Sequence, residues 1–208
     1  MNKPPYILIE GIDGAGKSRL SALLCDWLRE EMGLPVRRTA EPWGKEAKHR
    51  VVNEELSNDE ALQLFLVDRH KHMSSVVIPA LQKGNAVVQD RGIYSTLVYQ
   101  GFLGNGNIPA IEQKCFEAMG EYWPTATLWL DCPIEVAARR IELRDNRTVN
   151  YEERKELAVL HAGYNYYAGR TNLPRLTRID ASGDVSSTKA NAIATLASIL
   201  KPQLTTAG

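Results

Sequence analysis

The chain has 208 residues, 44% hydrophobic and 24% charged, and its 25 Lys and Arg balance 25 Asp and Glu. That length fits one domain with a real core, burying about 70% of the surface exposed by the unfolded chain, and the composition excludes a disordered or fibrous class. The even charge balance offers no global field to a nucleic acid or an anionic membrane, so any basic site has to be local.

Apolar, β-rich runs occur at YILIE 6–10, VRRTA 36–40, AVVQ 86–89, ATLWL 126–130 and RLTRI 175–179. Between them, helical spacing predicts helices over 17–31, 58–77, 109–121, 133–144, 151–168 and 186–200. In the second of these, Leu62, Phe65, Leu66 and Arg69 share one side, and Ser57 or Asn58 serves as cap. Pro79 permits only a short further turn before Lys83 and Gly84. Strands alternating with helices predict an α/β fold, a five-stranded parallel sheet with helices on both faces. With no repeat, low-complexity segment or linker, residues 1–208 read as one domain.

Cys25, Cys115 and Cys132 are odd in number and lack CxxC spacing, which argues against a disulfide framework and a zinc site. The apolar run before the first glycines is too short for a signal peptide, and no stretch approaches a membrane span. A cytoplasmic protein is the expectation.

GIDGAGKS, Gly11 to Ser18, satisfies G-x-x-x-x-G-K-[ST] between a predicted strand and a predicted helix. The chemistry needs these residue types. Glycines let backbone N–H groups approach phosphate oxygens, the helix N-terminus adds partial positive charge, Lys17 reaches the β and γ phosphates, and Ser18 can ligate Mg2+. The loop alone leaves a switch GTPase, an ATPase and a kinase open, although no N-K-x-D guanine motif follows. At the end of the third strand, Asp90 and Arg91 fall beside this loop, because ligands of open α/β sheets bind beyond the strands' carboxyl ends. Asp90 suits Mg2+ held through water, and Arg91 suits a second phosphate; the plainer alternative is a surface Asp–Arg pair.

DRGIYSTLVYQG, residues 90–101, resembles the D-R-[aromatic]-x-x-S-S-L-A-Y-Q-G segment of thymidylate kinases, matching at Asp90, Arg91, Ser95, Leu97, Tyr99, Gln100 and Gly101. IEGIDGAGKS, TAEPWG, LQLFLVDRHKH, VVIPALQKGNAVVQDR, PTATLWLDCPIEVAARR and RIDAS resemble further family segments in the same order. The resemblance implies a P-loop kinase fold with a short lid at about 141–152, moving the γ-phosphoryl of ATP, with Mg2+, to dTMP. It implies that Phe65 stacks on thymine, Arg69 bonds its O4, and Thr96 meets its far edge with Gln100 nearby. Tyr99 would crowd the sugar 2′ position, Asp13 would accept from the 3′-hydroxyl, and Arg91 would hold the acceptor phosphate, with Glu41, Pro42 and Ser95 completing that site. On the donor side it implies Gly11, Gly14, Ala15, Gly16, Lys17, Ser18, Arg19, Arg140 and Ala181, with Ser18 and Asp90 at the metal. Without the resemblance, Phe65 reads as core packing beside Leu62 and Leu66. The family further suggests a homodimer and a cis Glu41–Pro42 bond.

Thymidylate kinases place basic residues either in the P-loop or in the lid. Here the variable loop positions are Ile12, Asp13, Gly14 and Ala15, so the charge has to come from RDNRTVNYEER, a shortened bacterial-type lid, with Arg144 and Arg147 as catalytic candidates beside Lys17, Asp13 and Arg91. Arg140, Arg144 and Arg147 share one face if the helix persists; a break into a loop at Asp145–Asn146 is the alternative, and a solvated, ion-paired face is the plainer reading.

Three positions depart from the family: Ala40 replaces an Arg, Trp43 a Gly, and Gly92 an aromatic. They suggest that Trp43 fills space left by Gly92, and they keep a different acceptor open, such as a 5-modified dUMP or another deoxynucleoside monophosphate. A nucleotide-binding switch is the rival from another class.

Overall fold

The computed structural model describes residues 3–171 and 174–204, with side chains described as far as residue 200. Its framework is a five-stranded parallel sheet in the order β2-β3-β1-β4-β5. β1 (Tyr6–Glu10), β3 (Ala86–Asp90) and β4 (Ala126–Asp131) are buried along their whole length. Both faces of a parallel sheet are covered by crossover helices, so its inner strands read as continuous apolar runs. β2 (Val36–Ala40) and β5 (Leu176–Asp180) form the edges and tolerate the exposed Arg37, Arg38 and Arg178.

α1 (Lys17–Glu30) follows the glycine loop and packs with α9 (Val185–Leu204), while α8 (Tyr151–Ala168) packs on α5 (Ile93–Val98). The core joins the strands to Leu20, Leu24 and Leu28 of α1 and to Tyr164 and Tyr167 of α8. α2 (Lys45–Asn53), absent from the sequence expectations, precedes α3 (Asn58–His72). Ser57 caps α3 through a reciprocal box with Glu60, which decides between Ser57 and Asn58. The helix then widens over Met73–Val77 into a π turn, where Ile78 N–H reaches Met73 O, and continues as α4 (Ile78–Gln82). Pro79 has no N–H to donate and its ring crowds the preceding turn, which accounts for the widening. α5 likewise widens over Tyr99–Leu103, and α6 (Ile108–Met119) follows.

α7 (Ile134–Asp145) ends at Asn146, whose φ of 49° is left-handed. Asn tolerates that conformation because its short polar side chain bonds locally. The helix therefore stops between Arg144 and Arg147, and α8 begins at Tyr151 with a cap by Asn150 and Glu153. Of the expected lid at about 141–152, only residues 146–150 lie outside the two helices. The Glu41–Pro42 bond is cis.

Candidate active site

The glycine loop bends through three left-handed glycines, Gly11 (φ 144°), Gly14 (80°) and Gly16 (96°). Such angles strain any residue with a Cβ. Lys17 folds back so that Nζ donates to Ile12 O at 2.8 Å, 3.9 Å from Asp13 Oδ1. Burial, reinforced by the Arg91 cation, lowers its pKa to about 8. Ser18 Oγ donates to Asp90 Oδ2 at 2.5 Å, while Asp90 Oδ1 is buried without a partner. These are hard oxygen donors side by side, one of them unsatisfied, which fits Mg2+. A cavity of about 370 Å3 is lined by Asp13, Gly14, Gly16, Lys17, Ser18, Ala40, Glu41, Asp90, Arg91, Arg140 and Arg144.

A second cavity, about 250 Å3, shares Asp13, Glu41 and Arg91 with the first and extends past Pro42, Phe65, Arg69, Ser95, Thr96, Tyr99 and Gln100. Val51 of α2 and Gly92 complete its lining. Arg69 and Glu41 form a buried ion pair: Nε and Nη2 donate to Glu41 Oε2 at 3.0 and 2.8 Å, and Nη2 also donates to Thr96 Oγ1 at 2.8 Å. Arg69 Nη1 and Gln100 Oε1 are buried with no hydrogen-bond partner. Behind Arg69, burial pushes the Cys115 thiol up to about 11. Phe65 is half-buried and lines the cavity rather than closing into the core.

Where the cavities meet, Arg91 Nη2 donates to Asp13 Oδ1 at 2.5 Å, and Tyr99 Oη donates to Asp13 Oδ2 at 3.1 Å. Burial alone would raise the Asp13 pKa, but the Arg91 and Lys17 cations bring it down to about 2. Arg91 itself has φ 63°, a left-handed conformation that costs a bulky residue about 1–3 kcal/mol. Its surroundings hold it there: Arg91 N–H donates to Ile9 O at 2.9 Å and Gln89 Nε2 donates to Arg91 O at 2.9 Å. Glu10, buried at the end of β1, accepts from Gly92 N, Ser95 N and Ser95 Oγ, so it fixes the strand-to-helix turn that carries Arg91.

The family model described as thymidylate kinase matches residues 9–191. The chain belongs to the thymidylate kinase family. A protein from a Synechococcus species named thymidylate kinase is 35% identical over 206 residues, covering 96% of this chain and 95% of its own. One of the same name from Oleidesulfovibrio alaskensis is 37% identical over 150 residues, covering 68% of this chain and 70% of its own. Among solved structures, thymidylate kinase from Ehrlichia chaffeensis matches with a TM-score of 0.76 at 23% identity, covering 93% of this chain and 99% of that one, and supports the fold.

Against the thymidylate kinase pattern, two departures resolve differently from the sequence expectation. Trp43 does not fill space at Gly92. Its indole stacks on His72, with ring centroids 5.8 Å apart and planes 14° apart, and it does not line the second cavity. A Cβ at Gly92 would instead meet Leu8 Cδ1 at 2.9 Å and Gln89 Nε2 at 3.1 Å. Leu8 and Gln89 occupy that side, and Tyr6 Oη holds Gln89 Oε1 at 2.8 Å. Ala40 lines the cavity at the glycine loop without supplying a charge.

The remaining expected residues are placed as follows. Arg144 reaches the cavity at the glycine loop while bonded to Asp145 at 2.6 Å. Arg147 does not line it; Nη1 lies 2.7 Å from Glu153 Oε1. Arg140 donates to Ala181 O at 3.1 Å and Gly183 O at 2.7 Å, beside a small cavity lined by Ala15, Gly16, Arg19, Leu20, Asp184, Val185 and Thr188. Ala181 is wholly buried and contributes its carbonyl to Arg140, and Gly11 acts by close approach, since a Cβ there falls 2.9 Å from Leu130 O. The sequence reading missed Glu10, Val51, Asp68 and His72. A carboxylate ending the strand before the glycine loop was the one visible signal, at Glu10.

Proposed function

We propose that this chain transfers the γ-phosphoryl group of ATP to the 5′-phosphate of dTMP, giving ADP and dTDP, within one domain closed by the short 146–150 lid. One observation carries the reading: the phosphate cavity and the apolar cavity meet at Asp13, Glu41 and Arg91, so two substrates can bring their phosphates together there. Hydrolysis or timing needs no second cavity.

The acceptor's base edge is supported by the polar side chains that line the cavity. Thymine offers O4 as an acceptor to the Arg69 guanidinium and N3–H as a donor to the Gln100 amide, whereas cytosine would set its 4-amino donor against the guanidinium. Phe65 and Tyr99 line the cavity, so Phe65 would supply a ring to stack on the base and Tyr99 would crowd a ribose 2′-hydroxyl. Asp13, ionised at any working pH, accepts from the sugar 3′-hydroxyl. Since Trp43 lies outside the cavity and Leu8 and Gln89 occupy the Gly92 side, no observation favours a 5-modified acceptor over dTMP.

The acceptor phosphate is already anionic, so its oxygen attacks the γ-phosphorus without a strong general base while the bond to the β-phosphate oxygen breaks. Positioning and charge neutralisation set the rate. Lys17 and Arg91 bracket the transferred group, and Arg144 adds a cation from the lid side. Ser18 and Asp90 would hold Mg2+, which neutralises charge on the phosphates when bound. The small cavity beside Arg140 and the start of α9 supports placing the donor adenine on that side. A homodimer, by family resemblance, and a cytoplasmic setting, supported by three free buried cysteines, complete the proposal.

The test is a panel of dTMP, dUMP, 5-hydroxymethyl-dUMP, dCMP and dGMP with ATP and Mg2+, following ADP and nucleoside diphosphate. Equimolar ADP and dTDP with dTMP preferred is expected. An inert dTMP beside another monophosphate turned over rapidly overturns the acceptor assignment, and ATP hydrolysis indifferent to acceptor overturns the transfer.

A further inference from the structure

His72 has no part in the chemistry described above, yet it is fully buried on the last turn of α3 and touches the loop that carries Glu41. Its Nδ1 lies 3.2 Å from Glu41 Oε1 and its Nε2 lies 2.7 Å from Thr39 Oγ1. A carboxylate only accepts, so Nδ1 carries the proton; in the neutral ring Nε2 then accepts from the Thr39 hydroxyl. Glu41 Oε2 is already occupied by Nε and Nη2 of Arg69. The two oxygens of one carboxylate therefore join His72 to Arg69.

We propose that His72 is a positioning residue for the acceptor: by holding Glu41 Oε1 it fixes the carboxylate plane that orients Arg69, and so sets the guanidinium that lines the acceptor cavity. The proposal rests on the acceptor reading above. Arg69 has a second anchor, Thr96 Oγ1, but that bond and one Glu41 bond both use Nη2. The carboxylate thus governs the remaining rotation of the guanidinium. Releasing Oε1 lets the carboxylate turn and spoils the fit of the fork.

Trp43, where the family pattern has Gly, covers the imidazole. Its ring is stacked on His72, and its backbone N–H donates to Asp68 Oδ2 at 2.6 Å while Gly44 N–H donates to Asp68 Oδ1 at 2.8 Å. Asp68 and His72, four residues apart, lie on the same helix face. Together with Arg69 they fasten the segment from Glu41 to Gly44 to α3, and the indole shields the His72–Glu41 bond from competing water.

Two amides separate this role from simple core filling. In H72N the amide nitrogen takes the place of Nδ1 and keeps the bond to Glu41 while losing Thr39. In H72Q the longer amide reaches the Nε2 position and Thr39 while losing Glu41. With ATP saturating, H72Q and H72A should raise KM for the acceptor about tenfold, with kcat and KM for ATP within about twofold, while H72N stays within about threefold of the parent KM. If H72A does not fold, the Asn and Gln pair decides. Equal acceptor KM values for H72N and H72Q, or an unchanged KM in H72Q, overturn the proposal. The comparison uses whichever monophosphate the parent phosphorylates, so an inert dTMP sinks the acceptor assignment and leaves this test standing.

Discussion

Gly14 lies against the first turn of α7 so closely that a Cβ on it would fall 2.3 Å from the Ala137 carbonyl oxygen. Gly16, two residues on, has nothing within 4 Å of its own ideal Cβ. Both have left-handed φ, so alanine at either should cost about 1–3 kcal/mol of strain, and at Gly14 a clash with backbone adds a similar amount. G14A should therefore melt well below G16A in thermal unfolding. Equal losses would mean that the contact with α7 yields without cost.

Asp90 holds the Ser18 hydroxyl with one oxygen and keeps the other buried and unpaired. D90N retains the shape but removes the charge that suits a divalent cation. Its kcat should fall about 100-fold or more, with half-saturation moved to higher Mg2+. A magnesium titration on parent and variant checks this; coincident curves would remove Asp90 from the metal site.

Lys17, lowered by burial and then by Arg91 to about 8, is a cation below that pH and neutral above it. The free enzyme's ionisations govern kcat/KM, so kcat/KM for ATP should fall as pH rises through about 8. A bound triphosphate favours the charged form, so the decline in kcat should lie at higher pH. A flat kcat/KM through that range would contradict the assignment.

Arg69 and Glu41 have side chains only 2% and 8% exposed. R69M leaves a buried carboxylate with His72 as its main partner, which should cost about 3–5 kcal/mol in denaturant unfolding. Adding E41Q should recover part of that loss while acceptor KM remains high. If the double variant is less stable than R69M, the pair is not the source.

Arg144 lines the phosphate cavity and Arg147 faces Glu153. R144A should lower kcat about 100-fold, whereas R147A should change kcat less than about fivefold. The reverse order, measured at saturating substrates, would place the catalytic charge beyond the helix break at Asn146.

The inner strands could be read directly because a parallel sheet covered on both sides leaves only apolar positions, and β3 and β4 differ from expectation by one terminal residue each. The glycine loop was equally plain, since its spacing is fixed by phosphate chemistry. α2 was not: KEAKHRVVN buries only Ala47 and owes its start to Asp68, which accepts from Trp43 and Gly44. α5 was hidden for the opposite reason, being buried at Ile93, Tyr94, Thr96, Leu97 and Val98, so that no apolar stripe shows. The residues that line the second cavity were named through resemblance, whereas His72 and Glu10 depend on partners 31 and 85 residues away, which spacing along the chain does not reveal.

Arg91 already donates to Asp13 and lies over the Tyr99 ring, its guanidinium carbon 5.3 Å from the centroid. In the proposed function, an arriving phosphate would therefore not meet a bare cation. It would trade places with a carboxylate, and its grip on Arg91 would be the difference between two anions. That difference would moderate affinity for the monophosphate and would also let the diphosphate go, because Asp13 and Tyr99 stand ready to take the guanidinium back. Capture and release become one exchange of partners run in opposite directions.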